Sequence, residues 1–313
     1  MKMPNEILLT LAEHMDTATR LCFMASNKKL YNLINSYEHS ISESRAASFP
    51  LPPLGNILSS STHERHVLRP YTFKIVRELE LREHRIARLV KYWPQLVSCE
   101  CPYGLPALTV SQQARLGSVI RRALNQCDRI ADIAANEPCV LIPPRYYDYI
   151  FDEMYSLPEA MGSTDEELSK FNPLTRIDAR LRQIEYIRSL SLEDIAGLFT
   201  LVNMIGYQSI SSKTITPEKF ASKVITEECI LRHGTWFVWS DLLGDIDMIV
   251  LASYIVEAGK TELRGWEAGT FNAPPGLKMT LSKRFRELVG GETTVQVAIN
   301  MDTAISKLLG DDE

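Results

Sequence analysis

The chain has 313 residues, 45% of them hydrophobic and 23% charged, with a formal net charge of −5. That length suffices to bury one large or two modest cores, and the acidic balance argues against a general nucleic-acid binder while leaving room for a local basic patch. No segment reads as a bilayer span: the most apolar region, Trp236 to Val256, is interrupted by Asp241, Asp245 and Asp247 and falls short of the ~20 uncharged residues a crossing helix needs.

The opening does not read as a secretory leader, because the short apolar run from Ile7 to Leu11 is closed by Glu13 and Asp16. Six scattered cysteines (Cys22, Cys99, Cys101, Cys127, Cys139 and Cys229) are therefore expected as reduced thiols, in a cytoplasmic and/or nuclear protein. Cys99 and Cys101 form a C-x-C pair without a second pair at zinc spacing, so buried thiols are the expectation.

Taken in chain order, residues 1–47 read as three closely spaced helices. Pro4 suits a first helical turn and Glu6 suits its positive end. Ile7, Leu8, Leu11, Ala12 and Met15 recur at helical spacing. Asp16 and Thr17 can cap a second helix carrying Leu21, Phe23, Met24 and Ala25. Ser26 and Asn27 can cap a third, with Leu30, Leu33, Ile34, Tyr37 and Ile41 on one side and Lys28, Lys29, Asn32, Ser36 and Glu43 on the other. Residues 48–63 contain Pro50, Pro52, Pro53 and Gly55 and read as a linker, laid across the following domain through Leu51, Leu54, Ile57 and Leu58.

Residues 64–313 read as a larger helical domain. A helix is expected from Thr72 to Trp93, stopped by Pro94, with Glu78 and Arg82 paired on its exposed side. Ser111 can cap a helix from Gln112 to about Ala135, and an aromatic-rich helix follows around Tyr146, Tyr147, Tyr149, Phe151 and Tyr155. Leu174, Ile177, Leu181 and Ile184 mark another helix, with Arg176, Arg180, Arg182 and Arg188 expected on a solvated face. Ser191 with Asp194 resembles a capping box opening Leu192 to Tyr207. Helices are expected from Pro217 to Ile230, around Trp236 to Leu243, from Ile246 to Glu257 and from Leu281 to Val289, with a tail from Thr293 that is either strand or helix. Alternation of the strand type is scarce, and no repeat of 20 to 50 residues stands out. The fold class expected is all-α: a small three-helix unit followed by a larger irregular helical domain.

One segment carries a motif. Met3 to Ile34 holds Pro4, Glu6, Ile7, Leu8 and Leu11, then Asp16 at the first helix end, Leu21 in the second helix, and Asn27, Lys28 and Lys29 at the entry to the third. In that order these residues resemble the F-box, especially its fungal forms. Met3 stands where the family usually has Leu, a nearly volume-conserving change, and Leu30 with Tyr31 stands where many members have Trp. The resemblance implies a substrate-recognition adaptor of a Skp–cullin–F-box ubiquitin ligase, which recruits an unknown protein client for ubiquitin-dependent degradation. It also implies a Skp-type adaptor as partner and, through it, a cullin. The ubiquitin-transfer chemistry would lie in other subunits. The residues expected to bind the adaptor are Pro4, Ile7, Leu8, Leu11, Met15, Leu21, Met24 and Leu30. Independently of the resemblance, three short amphipathic helices cannot bury all their apolar side chains against one another, and helix packing in an apolar groove is a common way of using the surplus.

No nucleotide-binding loop, nucleophile elbow or zinc-protease signature occurs, so no catalytic residue, metal or cofactor is expected. His63 and His66 lack a third ligand, and Cys229 with His233 reads as a half-buried helix rather than a nucleophile and base. The aromatic cluster at residues 146–155 and the run Trp236, Phe237, Val238 and Trp239 read as core. The alternative is a non-catalytic all-helical scaffold in which Ile7, Leu8, Leu11 and Met15 merely pack against residues 70–130. A helix-turn-helix DNA binder is disfavoured because over residues 1–47 the basic Lys2, Arg20, Lys28, Lys29 and Arg45 are cancelled by Glu6, Glu13, Asp16, Glu38 and Glu43. Neither nucleic acid nor membrane is expected as a partner.

Overall fold

A computed structural model of the chain describes residues 3–59, 67–97, 109–136, 177–208, 217–244, 276–290 and 301–309, and parts of 249–260. The helices are α1 (Asn5–His14), α2 (Thr17–Ala25), α3 (Lys28–Ser36), α4 (Glu38–Ala47), α5 (Phe73–Val97), α6 (Val110–Ala135), α7 (Ile177–Ser189), α8 (Leu192–Gln208), α9 (Pro217–Leu243), α10 (Leu277–Gly290) and α11 (Met301–Leu309). The one strand pair among the described residues is β1 (Ile57–Leu58) against β2 (Val67–Leu68), antiparallel, with Ile57 opposite Leu68. The all-α reading holds: a small N-terminal helical unit precedes a larger helical body.

The expected caps form where short polar side chains precede apolar runs. Asp16 accepts from the Thr19 N–H at 2.7 Å and Asn27 from the Lys29 N–H at 2.8 Å. The third expected helix is broken at Tyr37 (φ −111°, ψ 18°), so Ile41 lies on α4. Helix α6 starts two residues before the expected Gln112, because Thr109 and Gln112 make a reciprocal capping box. At the start of α8 the Ser191 hydroxyl accepts from the Asp194 N–H at 3.2 Å and donates to the Asp194 carboxylate at 3.0 Å, and that carboxylate also accepts from Arg122 and Gln126. Helix α5 runs one turn past Pro94, where the ring costs a single bond near the helix end.

The central helix of the body is α8. Ile195, Ala196, Leu198, Phe199, Leu201, Val202 and Ile205 are buried on every side of it, as its packing against α6, α9, α10 and α11 requires. Around it Ile120, Leu124 and Ile130 of α6 meet Ile230, Leu231, Trp236, Phe237 and Val238 of α9. The Trp236 run is core, as expected. Cys127 and Cys229 are buried thiols, while Cys22 is exposed; burial pushes the Cys127 thiol well up, and the Asp128 carboxylate adds to the rise. Helix α9 joins the two helices expected around residues 217–243, with one non-helical residue, Gly234 (φ 68°, ψ −156°). At that kink the Thr235 N–H and hydroxyl both donate to the Asp128 carboxylate, at 2.8 and 2.7 Å respectively.

The linker is a strap held by polar contacts to α5 and α6. Asn56 and Asn136 exchange hydrogen bonds at 3.0 and 3.1 Å, the Leu58 N–H donates to Asp132 at 3.0 Å, and Arg82 donates to the Leu58 carbonyl at 2.8 Å. Ile57 is buried, but Leu54 is 84% exposed, contrary to the expected apolar anchoring along the whole strap.

Glu78 and Arg82 do pair, but inside the protein. Arg82 contacts Glu78 at 3.2 Å and grips Asp132 with two bonds of 2.6 and 2.8 Å, and Arg85 adds a 2.9 Å contact to Glu78. Burial pushes the Asp132 carboxyl up and Arg82 pulls it back, and the two-bond geometry is that of an ionised pair. Arg82→Met is expected to lower unfolding stability by about 3 kcal/mol, since it strands Asp132 without its partner. The Arg82→Met/Asp132→Leu double variant should recover much of that loss in urea titrations; equal loss in both would show that the pairing itself contributes little.

A second buried network ties α9 to α10. Glu228 accepts from the Leu277 and Lys278 N–H groups at 3.0 and 2.9 Å, satisfying the free donors of α10. This distant cap explains why α10 begins at Leu277 and not at Leu281. Burial opposes the Glu228 charge, but Arg232, Arg180 and those two N–H groups hold its carboxyl below the ordinary range. Arg180 is thus buried, not on a solvated face; Arg182 and Arg188 are exposed as expected, and Arg176 lies outside the described residues. Lys278 sits 3.4 Å from Glu227, which also pairs with Lys223.

Burial lowers the Lys278 ammonium to about 8, Glu227 working against that shift and Lys223 with it. Between about 8 and 10.5 the folded chain therefore binds fewer protons at this group than the unfolded chain does. Its contribution to stability should rise with pH across that window. Lys278→Met should flatten the rise in denaturation curves taken from pH 7.5 to 10; an unchanged slope would place the ammonium in a better-solvated setting.

Candidate functional site

The first four helices close around Ala12, Met24, Ile34 and Ile41, with Leu9, Phe23 and Phe73 packed partly against them. On α1 the apolar positions span an arc of roughly 200° when residues advance by about 100° each, wider than one buried stripe. The half centred on Ala12 and Leu9 is turned inward. The half holding Ile7 and Leu11 faces outward, 49% and 41% exposed. Leu21 on α2 is 53% exposed, and Pro4 is exposed at the α1 entry. Leu8, Met15 and Leu30 are half-buried.

Seven of the eight expected adaptor-binding residues thus keep accessible surface. Met24 does not: at 5% exposure it belongs to the internal core with Ala12, Ile34 and Ile41. Periodicity places Met24 on the same short helix as Leu21, but three residues on, where the wheel turns toward the core. Three large exposed side chains were absent from the expected set, among them Tyr37 at the junction of α3 and α4. Met3 precedes α1, and Tyr31 lies on the outer side of α3. Tyr31 was legible, because it occupies part of the stretch where the F-box often carries Trp.

This outward face is held rigidly. Arg20 is 1% exposed, its guanidinium lies 4.2 Å from the centre of the Phe73 ring, and it donates to the Thr17 hydroxyl at 3.2 Å. The Thr17 N–H donates to the Glu80 carboxylate at 3.0 and 3.3 Å, and Arg45 approaches Glu80 at 3.6 Å. The Phe73 N–H donates to Glu38 at 2.7 Å. Phe73 and Glu80 both belong to α5, so the first four helices are bound to the body through its first helix. The Asp16 carboxyl is kept below its ordinary range by the Thr19 N–H and hydroxyl.

The cleft between the strap and α5/α6 is lined by Arg82, Asp128, Asp132 and Asn136, all engaged in the contacts described above. Cys229 and His233 are both buried, not half-buried. Among the described residues no three His, Cys, Asp or Glu side chains converge to hold a metal ion, and no helix is long and apolar enough to cross a membrane. The C-x-C pair, His63 with His66, and the aromatic cluster at 146–155 lie outside the described residues.

No curated protein and no solved structure matches the chain. Residues 1–40 match the family model of the F-box domain. That stretch covers α1 to α3 and the start of α4, the same helices that leave Ile7, Leu11 and Leu21 uncovered, so the N-terminal segment of the chain is similar to the F-box domain in the region that exposes this apolar surface.

Proposed function

We propose that the chain is the client-recognition adaptor of a Skp–cullin–F-box ubiquitin ligase. Residues 1–47 dock the Skp-type adaptor, and residues 64–313 bind the protein client, with residues 48–63 as the connecting strap. The observation that carries this reading is the outward apolar half of α1 together with Leu21: these side chains lie on the matched helices and remain open to a partner helix. The docking surface consists of Pro4, Ile7, Leu8, Leu11, Met15, Leu21 and Leu30, joined by Met3 and Tyr31. The chain itself transfers nothing; it fixes the client relative to subunits that do.

The test is co-expression with a Skp-type adaptor followed by size-exclusion chromatography. A one-to-one complex is the expected result. Separate elution of the two chains at micromolar concentration, with both folded, would leave the N-terminal helices a structural cap on a scaffold protein.

A further inference from the structure

Helix α5 keeps its carboxylates off one of its faces. All three of its carboxylates are engaged inside the chain: Glu78 with Arg82 and Arg85, Glu80 with Thr17 and Arg45, and Glu83 with Arg121 at 3.0 Å. The solvent face between them carries Lys74, Arg77, Leu81, His84, Arg88 and Lys91, all exposed, at alternating spacings of three and four residues. Such spacing draws one continuous stripe along a helix, here about 25 Å long at 1.5 Å per residue. Lys74, Arg77 and Lys91 make no ion pair among the described residues, and Arg88 lies over the Trp239 ring at 4.8 Å. In a chain of net charge −5 this face stands out as cationic with no carboxylate on it.

We propose that the exposed face of α5 docks an acidic helical segment of a protein partner. Charge complementarity sets the sign of the partner. The exposed Leu81, near the centre of the stripe, sets its class: an apolar side chain there meets a Leu or Ala of an amphipathic helix, whereas a phosphate backbone or a lipid headgroup layer would leave it facing charge. A partner helix with glutamates or aspartates at spacings of three and four matches the stripe turn for turn. That this partner is the ligase client rests on the adaptor reading above. On that reading the client lies beside the helix that also anchors the F-box through Phe73 and Glu80.

The full chain is titrated against a fluorescein-labelled peptide of about eighteen residues built from Glu, Ala and a central Leu at the matching spacing, read by anisotropy. The expected result is saturable binding that weakens as salt is raised and falls by at least about tenfold in the Lys74→Glu/Arg77→Glu/Lys91→Glu variant. Should that variant melt early, Lys74→Gln/Arg77→Gln/Lys91→Gln replaces it, with the same loss expected. No binding by the wild-type chain, or equal binding by the variant, overturns the proposal. Tighter binding of a single-stranded oligothymidine or of phosphatidylserine vesicles than of the peptide overturns it as well. Co-purification of the Skp-type adaptor should be the same for wild type and variant. If the adaptor binds neither while the peptide still distinguishes them, the surface stands and the ligase role falls.

Discussion

Ile7→Asp should abolish capture of the Skp-type adaptor while leaving the thermal melt of the chain within a degree or two of wild type. Ile7 is 49% exposed, so a carboxylate there stays hydrated in the free protein and costs little. In the complex the same carboxylate would lie against partner hydrocarbon without a counter-charge. The penalty is several kcal/mol, and about 4 kcal/mol corresponds to roughly a thousandfold in affinity. Leu8→Asp should also lose the adaptor, but Leu8 is half-buried and that variant should melt earlier as well. The contrast between the two is informative. Calorimetric titration with purified adaptor and a parallel melting scan read both quantities. Adaptor binding by Ile7→Asp at wild-type strength would place the docking surface elsewhere. Unfolding of the chain by this one substitution would show that Ile7 supports the fold.

Gly234→Ala is expected to be the most damaging small substitution in the body, with a loss of about 4 kcal/mol or more. Two costs combine. The backbone there has φ 68° and ψ −156°, a conformation that residues with a Cβ avoid at roughly 1–3 kcal/mol. A Cβ at this position would also lie 2.4 Å from the Asp128 Oδ1 and 3.0 Å from the Asp128 Cα. The latter is backbone of α6 and cannot swing aside. Relief would require α9 to move off α6 and to break the Thr235 bonds to Asp128, which leaves a buried carboxylate short of donors. Urea denaturation would read the loss directly, and Gly197→Ala in α8, where the nearest atom is a side-chain methyl of Val119 at 3.2 Å, supplies the milder comparison. A loss below about 1 kcal/mol for Gly234→Ala would mean that the kink relaxes freely.

What the sequence made legible was local. Caps at Asp16, Asn27 and Ser191, the prolines of the strap, and the 3.6-residue rhythm of α1, α5 and α6 all act within a few residues, where pattern reading is strong. The F-box motif belongs to the same category. The illegible parts depend on partners far along the chain. Glu78 and Arg82 pair at helical spacing whether inside or outside, and only Asp132, fifty residues on, decides that the pair is buried. The start of α10 is set by Glu228, forty-nine residues earlier than Leu277. Met24 shares the hydrophobicity of Leu21, and its burial follows from Ala12, Ile34 and Ile41 closing over it. The cationic stripe was the reverse case: its spacing was in view, but the inward engagement of Glu80 and Glu83 that leaves the stripe unneutralised was not.

Helix α5 has one end in each part of the molecule. Phe73 and Glu80 lock it to the first four helices, while Ile86, Leu89 and Trp93 are sunk in the body. A continuous helix transmits rotation as well as distance, so a single residue inserted between these two sets would turn one part against the other by about 100° and shift it by about 1.5 Å. The first four helices and the body therefore share one reading frame in space: along this helix the chain can change length only by whole turns if their relative orientation is to be kept.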